Sequence, residues 1–320
     1  MTQASRNDSI QRWSLVIAAS LGLGIYVIDA QAACELAKLA ELKVTMNGMR
    51  PMVEARLNGH EGKFVVDSSS YYNVISSPGA AKSALKLKPP PGWLAAKGPD
   101  GKTLLSVGVA DELLVGDMRF KNIEFLAGGN DSGSGGEGVI GQTLFQGYDV
   151  EYDLANGVIR LMKPDGCSDA QLAYWVSGNQ AFSIVDINPT TPAQPFVSGV
   201  AQLNGAQVHV LFDTGATASR ISSQAAQRAG LKANPSDLVD AGYAVGIGRP
   251  AVMTHVAPFS TFKVGDEEIR NLRLRVGDTR EGTDMLLGAD FFVSHRIYVS
   301  NAQHKLYFTY NGGPVFSASR

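Results

Sequence analysis

The sequence predicts an all-β protein made of two copies of one domain, with a few short helices. Segments about 147 residues apart resemble each other, which is too long a period for a solenoid unit and indicates a duplicated domain. Short β-branched and aromatic runs alternate with Gly and Asn turns, as in small barrels or sandwiches. The chain has 320 residues, of which 44% are apolar and 18% charged, so it can bury a sizeable core.

The repeat recurs at several positions of each copy. The matched segments are Leu57-Asn58-Gly59 with Leu203-Asn204-Gly205, Asp67 with Asp213, Val115-Gly116-Asp117 with Val264-Gly265-Asp266, and Val139-Ile140-Gly141 with Leu286-Leu287-Gly288. We expect one lobe over residues 35–163 and a second over 181–312. The linker between them, 164–180, contains Pro and Gly loop signals.

Most of the predicted elements are strands. The clearest are Lys63–Val66, Val208–Phe212, Val150–Tyr152, Ile159–Met162, Arg296–Val299 and Leu306–Tyr310. Asn156-Gly157 lies between two of these runs and predicts a hairpin turn. Short helices are predicted at Ser222–Ala229 and Gly288–Val293.

The first 33 residues have the features of an export signal. Arg6 and Arg12 precede an apolar run of 16 residues, which ends before the small-residue segment Ala30-Gln31-Ala32. The run is shorter than the roughly 20 residues of a membrane span, so a cleaved signal peptide is favoured over an N-terminal membrane anchor. Lipidation at Cys34 is a third interpretation, weakened by the lack of an apolar residue three positions earlier. The two main interpretations predict a periplasmic protein, in one case held at the inner membrane.

Cysteine, histidine and charge content limit the classes of function. Export would put Cys34 and Cys167 in an oxidising compartment, where they either pair as a disulfide or remain two small buried thiols. The five histidines show no metal-ligand spacing, so no metal or other cofactor is expected. Lys+Arg 28 against Asp+Glu 30 gives a net charge of −2, which argues against nucleic-acid binding.

Two aspartates at strand ends carry the predicted chemistry. Asp213 directly follows the buried run Val208–Phe212, and Asp67 follows Lys63–Val66 in the same way. If the two loops face each other across a pseudo-twofold axis, the carboxylates lie close together and share one proton, because like charges cannot both ionise readily. One carboxylate can then activate water while the other protonates a carbonyl oxygen.

The residues after each aspartate are expected to support this pair. The hydroxyls of Ser68 and Thr214 can brace the loops. The backbone amides at Ser69 and Gly215 can donate hydrogen bonds that hold the carboxylates, and Gly215 allows close backbone approach.

These motifs resemble the retropepsin-like aspartic proteases, in the bacterial exported form with two lobes in one chain. Asp213-Thr214-Gly215-Ala216 is that family's active-site motif, and the segment 286–292 is similar to its downstream apolar-Gly element. Both copies carry both elements at matched spacing, and the resemblance spans about 280 residues. It implies two β-barrel lobes related by pseudo-twofold symmetry. It also implies substrate-binding flaps at Gly246, Ile247 and Gly248 and at residues 97–108.

The first copy departs from this pattern, since Ser69 stands where the family has glycine.

The resemblance implies an aspartic endopeptidase that hydrolyses exported proteins or periplasmic segments of membrane proteins. Ala216 implies a mildly acidic to neutral working range. A catalytically impaired peptide-binding protein and a structural envelope protein remain the alternatives. A monomer is expected, and a dimer is left open.

Overall fold

The structure, a computed structural model, describes residues 34–94, 105–129, 135–232, 238–244, 251–279 and 282–316. The predicted signal peptide or anchor, residues 1–33, lies outside these ranges. Within them, no helix has the length and apolar character needed to cross a membrane.

The described residues form mostly strands. Those of the first copy are β1 (Glu35–Asn47), β2 (Arg50–Leu57), β3 (His60–Val66), β4 (Asn73–Ile75), β5 (Leu87–Lys88), β6 (Ser106–Val115), β7 (Met118–Ala127), β8 (Gly138–Ile140), β9 (Asp149–Asp153) and β10 (Val158–Asp165). Those of the second are β11 (Ser183–Asp186), β12 (Ser198–Leu203), β13 (Ala206–Phe212), β14 (Arg220–Ile221), β15 (Val239–Ala244), β16 (Val252–Val264), β17 (Glu267–Val276), β18 (Met285–Leu287), β19 (His295–Ser300) and β20 (Lys305–Tyr310). The short helices are α1 (Ser77–Lys82), α2 (Gln142–Phe145), α3 (Ser223–Arg228) and α4 (Ala289–Ser294).

Each copy closes into a six-stranded, barrel-like sheet. The hydrogen-bonded order is β2-β3-β8-β4-β7-β6 in the first copy, and β6 pairs back to β2. The second copy repeats it as β12-β13-β18-β14-β17-β16, with β16 paired back to β12. The short strands β5 and β15 add outside β6 and β16 in equivalent places. The predicted all-β fold with two tandem barrels and few helices is therefore confirmed.

A sheet shared by both copies joins the barrels. Its strand order is β11-β20-β19-β9-β10-β1, and β9 of the first copy pairs with β19 of the second at Tyr152 and Ile297. The described residues accordingly form one compact unit. Strand β10 continues to Asp165, two residues past the predicted end of the first lobe.

Capping and turn residues explain where several of the elements begin and end. Ser222 caps α3, since its hydroxyl accepts a hydrogen bond from the Ala225 amide at 3.2 Å. Gly157 has φ +69°, the left-handed conformation that the predicted turn between β9 and β10 requires. Helix α1 is the counterpart of α3 in the first copy. It was not predicted, because its first turn contains Pro and Gly, which are unusual in helices.

A disulfide joins the start of β1 to the segment after β10. It links Cys34 to Cys167, which are 133 residues apart in sequence. Leu172 and Ala173 follow in the predicted linker and are fully buried against the shared sheet. The linker region is therefore packed against the shared sheet, which its loop-like composition did not indicate. It is also tied covalently, since Cys34 and Cys167 form the disulfide that was one of the two alternatives for these residues.

Candidate active site

Each of the two aspartates stands directly after a central strand of its barrel. Asp67 follows β3 and Asp213 follows β13, and the last three residues of each strand are buried. Strand β3 pairs in parallel with β8, and β13 pairs in the same way with β18. The Asp67 amide donates to the carbonyl of Ile140 (3.0 Å) and the Asp213 amide to that of Leu287 (2.8 Å). Each carboxyl group therefore starts a loop that is anchored to a second buried strand.

Ser68 and Thr214 tie the two loops to each other. The Ser68 amide donates to Thr214 Oγ1 at 3.0 Å, and the Thr214 amide donates to Ser68 Oγ at 2.9 Å. Each hydroxyl donates to a carbonyl of the opposite copy, Ser68 to Phe212 and Thr214 to Val66, both at 2.7 Å. Both side chains are buried, so these reciprocal bonds fix the loops face to face across a pseudo-twofold axis.

The Asp67 carboxyl accepts three hydrogen bonds on one oxygen. Its Oδ1 is 2.8 Å from the Ser69 amide, 3.0 Å from the Ser69 hydroxyl and 3.0 Å from the Ser70 amide. Donors of this kind favour the ionised form of a carboxyl group.

The Asp213 carboxyl repeats the arrangement with backbone donors. Its Oδ1 accepts from the amides of Gly215 (2.9 Å) and Ala216 (3.0 Å). The serine hydroxyl of the first copy has no counterpart here, because Gly215 has no side chain. Of these two equivalent positions, therefore, only the one in the first copy supplies a hydroxyl to the site.

The glycine at position 215 is required by the opposite carboxyl group. A Cβ built on Gly215 would overlap the carboxyl atoms of Asp67, so only glycine fits there. Ser69, at the equivalent place in the first copy, keeps its side chain. Its hydroxyl hydrogen-bonds Asp67 and lies within hydrogen-bonding reach of Asp213 as well.

Burial and the charge of the neighbouring carboxyl group shift the pKa values of the two aspartates. Burial raises the pKa of Asp213, and the nearby charge of Asp67 contributes further, to a pKa of about 7. Burial also raises the pKa of Asp67, whereas the donors from Ser69 and Ser70 and a hydrogen bond from Asp213 oppose that rise. The pair therefore shares one proton up to about pH 7.

The apolar-Gly elements lie directly behind the loops. A Cβ on Gly141 would approach the Ser70 carbonyl oxygen to 2.8 Å, and one on Gly288 would approach that of Ala216 to the same distance. Contact this close to backbone explains why both copies have glycine at this spacing from the aspartate.

Two residues beneath the first loop were missed by the sequence analysis. Gln142 Nε2 donates to the Ser68 carbonyl at 3.0 Å, and the phenol of fully buried Tyr152 hydrogen-bonds Gln142. The second copy has Ala289 and Val299 at the corresponding positions, 147 residues later in the sequence. The first copy thus has polar side chains where the second has apolar ones. This difference is the sequence signal that could have pointed to the two residues.

The predicted flaps are only partly described. Gly246, Ile247 and Gly248 lie outside the described residues, although β15 and β16, which precede and follow them, pair as an antiparallel hairpin. In the first copy β5 pairs with β6, and of the predicted flap only residues 105–108 are described.

The described side chains offer no evident metal site. In these parts of the chain, no three His, Cys, Asp or Glu residues come together as metal ligands would.

One family model and several solved structures are similar to this chain. The sequence model of a family described as aspartyl protease matches the chain twice, over residues 53–144 and 200–291. No curated protein sequence matches the chain. A retropepsin-like aspartic protease from Rickettsia conorii is 17% identical, with a TM-score of 0.31, covering 41% of this chain and 95% of that one. An aspartic proteinase from Irpex lacteus is 12% identical, with a TM-score of 0.48, covering 86% and 97%.

The family assignment rests on the two sequence matches, which together span more than half of the chain. Each match contains one aspartate loop and the glycine element behind it. The chain therefore belongs to the aspartyl protease family.

Proposed function

We propose that this aspartic protease is an exported endopeptidase that uses both carboxyl groups of one chain to cleave extended protein segments. The observation that carries the proposal is the pair of facing loops, which bring the carboxyl groups of Asp67 and Asp213 together so that they can share one proton. Both halves of the site come from one chain, which supports activity as a monomer.

In the proposed reaction the Asp67 carboxylate takes a proton from a water molecule as the water oxygen attacks the peptide carbonyl carbon. Asp213 donates its proton to the carbonyl oxygen, and a neutral gem-diol forms. The C–N bond then breaks as the nitrogen takes the proton held by Asp67 and one diol hydroxyl returns a proton to Asp213. The products are a carboxylic acid and an amine, and the pair regains its original protonation.

Edge strands support an extended substrate. Strands β5 and β15 end their sheets, so each has one edge without a neighbouring strand among the described residues. An extended peptide can add to such an edge through backbone hydrogen bonds.

The N-terminal sequence and the disulfide support the proposed location. Residues 1–33 have the order of an export signal, and a bond between Cys34 and Cys167 is typical of proteins in an oxidising compartment. We therefore propose a periplasmic enzyme, free or held at the inner membrane, that acts on exported proteins or on periplasmic segments of membrane proteins.

The test is cleavage of an unbiased peptide library between pH 3 and 8. Wild type is expected to cut below about pH 7, where Asp213 keeps its proton. Folded Asp67→Asn and Asp213→Asn are each expected to lose at least about a thousandfold of that activity, since each removes one half of the acid–base pair. Full activity in either folded variant would refute the two-carboxyl mechanism.

A second candidate function follows from Ser69. Its hydroxyl hydrogen-bonds Asp67 and reaches Asp213, so it would compete with a water molecule for the oxygens of the two carboxyl groups. A peptide-binding protein without protease activity would bind library peptides and leave them uncut at every pH. In that case Ser69→Gly, which clears the space, is expected to restore cleavage.

A further inference from the structure

Each barrel sheet carries a row of four side chains that starts beside its aspartate loop and faces away from the barrel core. In the first copy, neighbouring strands bring into register Val65, Val139, Val74 and Leu126. These four belong to a small apolar cluster that is separate from the main core. Because side chains alternate along a strand, Val65 lies on the same face as Asp67, two residues later. The row therefore begins at the site and runs across the sheet.

The second copy has two arginines in the equivalent row. Its four members, which pair in the same order and register, are Leu211, Leu286, Arg220 and Arg275. Their apolar neighbours along each strand belong to the main core, so the row faces the same side as Asp213. Arg220 and Arg275 thus take the places of Val74 and Leu126. The sheet face beside Asp213 is cationic where the face beside Asp67 is apolar.

Arg275 is only partly satisfied by hydrogen bonds. Its Nη1 donates to the Ala241 carbonyl at 2.6 Å and to Thr254 Oγ1 at 3.4 Å, which holds the guanidinium against the β15–β16 hairpin. Both acceptors are neutral, so no ion pair within the described parts of the chain balances the charge of Arg275. Its Nε is buried and has no acceptor among the described residues. An unpaired buried donor costs free energy, and an incoming acceptor removes that cost.

A carboxylate is the acceptor that fits these donors. The Nε–H and one N–H of Nη2 lie along one edge of the guanidinium and can donate in parallel to both oxygens of a carboxylate. Such a charged, two-bond contact is stronger than a hydrogen bond between neutral groups. The Arg275 side chain is half-buried, which strengthens the attraction further, since solvent screens the charge less there.

We propose that Arg275 is a specificity-determining residue that binds an aspartate or glutamate side chain of the substrate. The inference rests on the proposed cleavage of extended segments and names the kind of segment that is cleaved. Three strand spacings of about 4.8 Å put Arg275 about 14 Å across the sheet from the strand that leads to Asp213. An extended chain covers that distance in about four residues. The acidic residue therefore lies within about four residues of the cleaved bond.

The experiment compares cleavage by wild type and by Arg275→Leu, which gives the second copy the residue of the first at this position. The substrates are peptide pairs from the library that differ only by Glu or Gln at one position within four residues of the cleaved bond. They are measured at pH 6, where Glu is ionised. At one such position, wild type is expected to cleave the Glu peptide with a kcat/KM about tenfold above that of the Gln peptide.

The ratio of the two kcat/KM values reports on recognition, because a general loss of structure lowers both values together. Arg275→Leu should bring the ratio to about one, whereas Arg275→Lys, which keeps the charge, should hold it above about three. The matched control is Arg273→Leu, which removes the same charge from an exposed position of β17 and should stay within about twofold of the wild-type ratio. If Arg275→Leu does not fold, Arg275→Gln replaces it, with the same expected ratio.

A wild-type ratio near one at every position, or an unchanged ratio in Arg275→Leu, would overturn the inference while cleavage itself upheld the proposed function. Should no peptide be cut, binding of the same labelled pairs is measured by fluorescence anisotropy. Tighter binding of a Glu peptide by wild type but not by Arg275→Leu would support the role of Arg275 and refute the endopeptidase proposal. Equal binding of each pair, or no binding, would refute both.

Discussion

At the scale of single residues, the two buried hydroxyls of Ser68 and Thr214 hold the carboxyl groups in one geometry. Each hydroxyl both accepts from an amide and donates to a carbonyl of the opposite copy, so no polar atom of these side chains lacks a partner. The sequence predicted that these hydroxyls brace the loops. It did not predict that each one reaches across to the other copy, because that depends on how closely the barrels approach.

We expect Thr214→Val to lower the free energy of unfolding by about 3 kcal/mol, because the change leaves the Ser68 amide and the Val66 carbonyl buried without their partner. Urea unfolding followed by circular dichroism measures this. Thr45→Val is the matched control, since Thr45 is exposed on β1 and should change stability by less than about 0.5 kcal/mol. Equal losses in the two variants would contradict the role given to the loop contacts.

Burial of Asp213 also predicts how stability depends on pH. Its pKa is raised from 3.8 to about 7, so between these values the folded chain binds more protons than the unfolded chain. The contribution of this group to stability is then fully present below about pH 4 and is lost as the pH rises to about 7, by up to about 4 kcal/mol. Asp213→Asn should flatten this decline in urea unfolding measured at pH 4, 5, 6 and 7. A variant that declines as steeply as wild type would show that Asp213 is not the cause.

At the scale of elements, the two copies use the same strands and differ in what lies beneath the loops. Strands β3 and β13 and their partners β8 and β18 match in order, direction and burial. Helix α2 adds Gln142 under the first loop, and α4 has Ala289 there. The extra polar contact belongs to the copy with the unusual Ser69.

Gln142→Ala makes the first copy resemble the second at this position. We expect kcat/KM to fall about tenfold, because the Ser68 carbonyl loses its donor and the Asp67 loop gains freedom. Peptide cleavage at fixed pH gives the ratio. The control, Gln146→Ala, removes an exposed amide just after the same helix and should stay within about twofold of wild type. A similar loss in both would assign the effect to α2 as a whole.

At the scale of the whole molecule, strands of both copies share one sheet. The disulfide between Cys34 and Cys167 joins the start of its edge strand β1 to the segment after β10. The bond closes a long loop, which restricts the unfolded chain. Replacing both cysteines by serine should cost about 2–4 kcal/mol of unfolding free energy. Activity at temperatures where the fold persists should be retained, because neither cysteine contacts the aspartate loops. A stability equal to wild type would contradict this account.

The repeat, the strand runs and the strand–Asp loops could all be found in the sequence, because each depends on local pattern and on a comparison within the chain. The shared sheet could not, since the pairing of β9 with β19 joins residues with no local signal for each other. Helix α1 was hidden by Pro and Gly in its first turn. Gln142 and Tyr152 differ from their counterparts in the second copy, but the contacts that give this difference a meaning form only on folding.

The most direct test of the account is whether one chain holds a complete site. Wild type, Asp67→Asn, Asp213→Asn and an equimolar mixture of the two variants are compared for peptide cleavage. The account predicts activity in wild type only, with the mixture as inactive as either variant, because Asp67 and Asp213 face each other within one chain. Cleavage by the mixture would contradict it, since a complete site would then form between lobes of different chains.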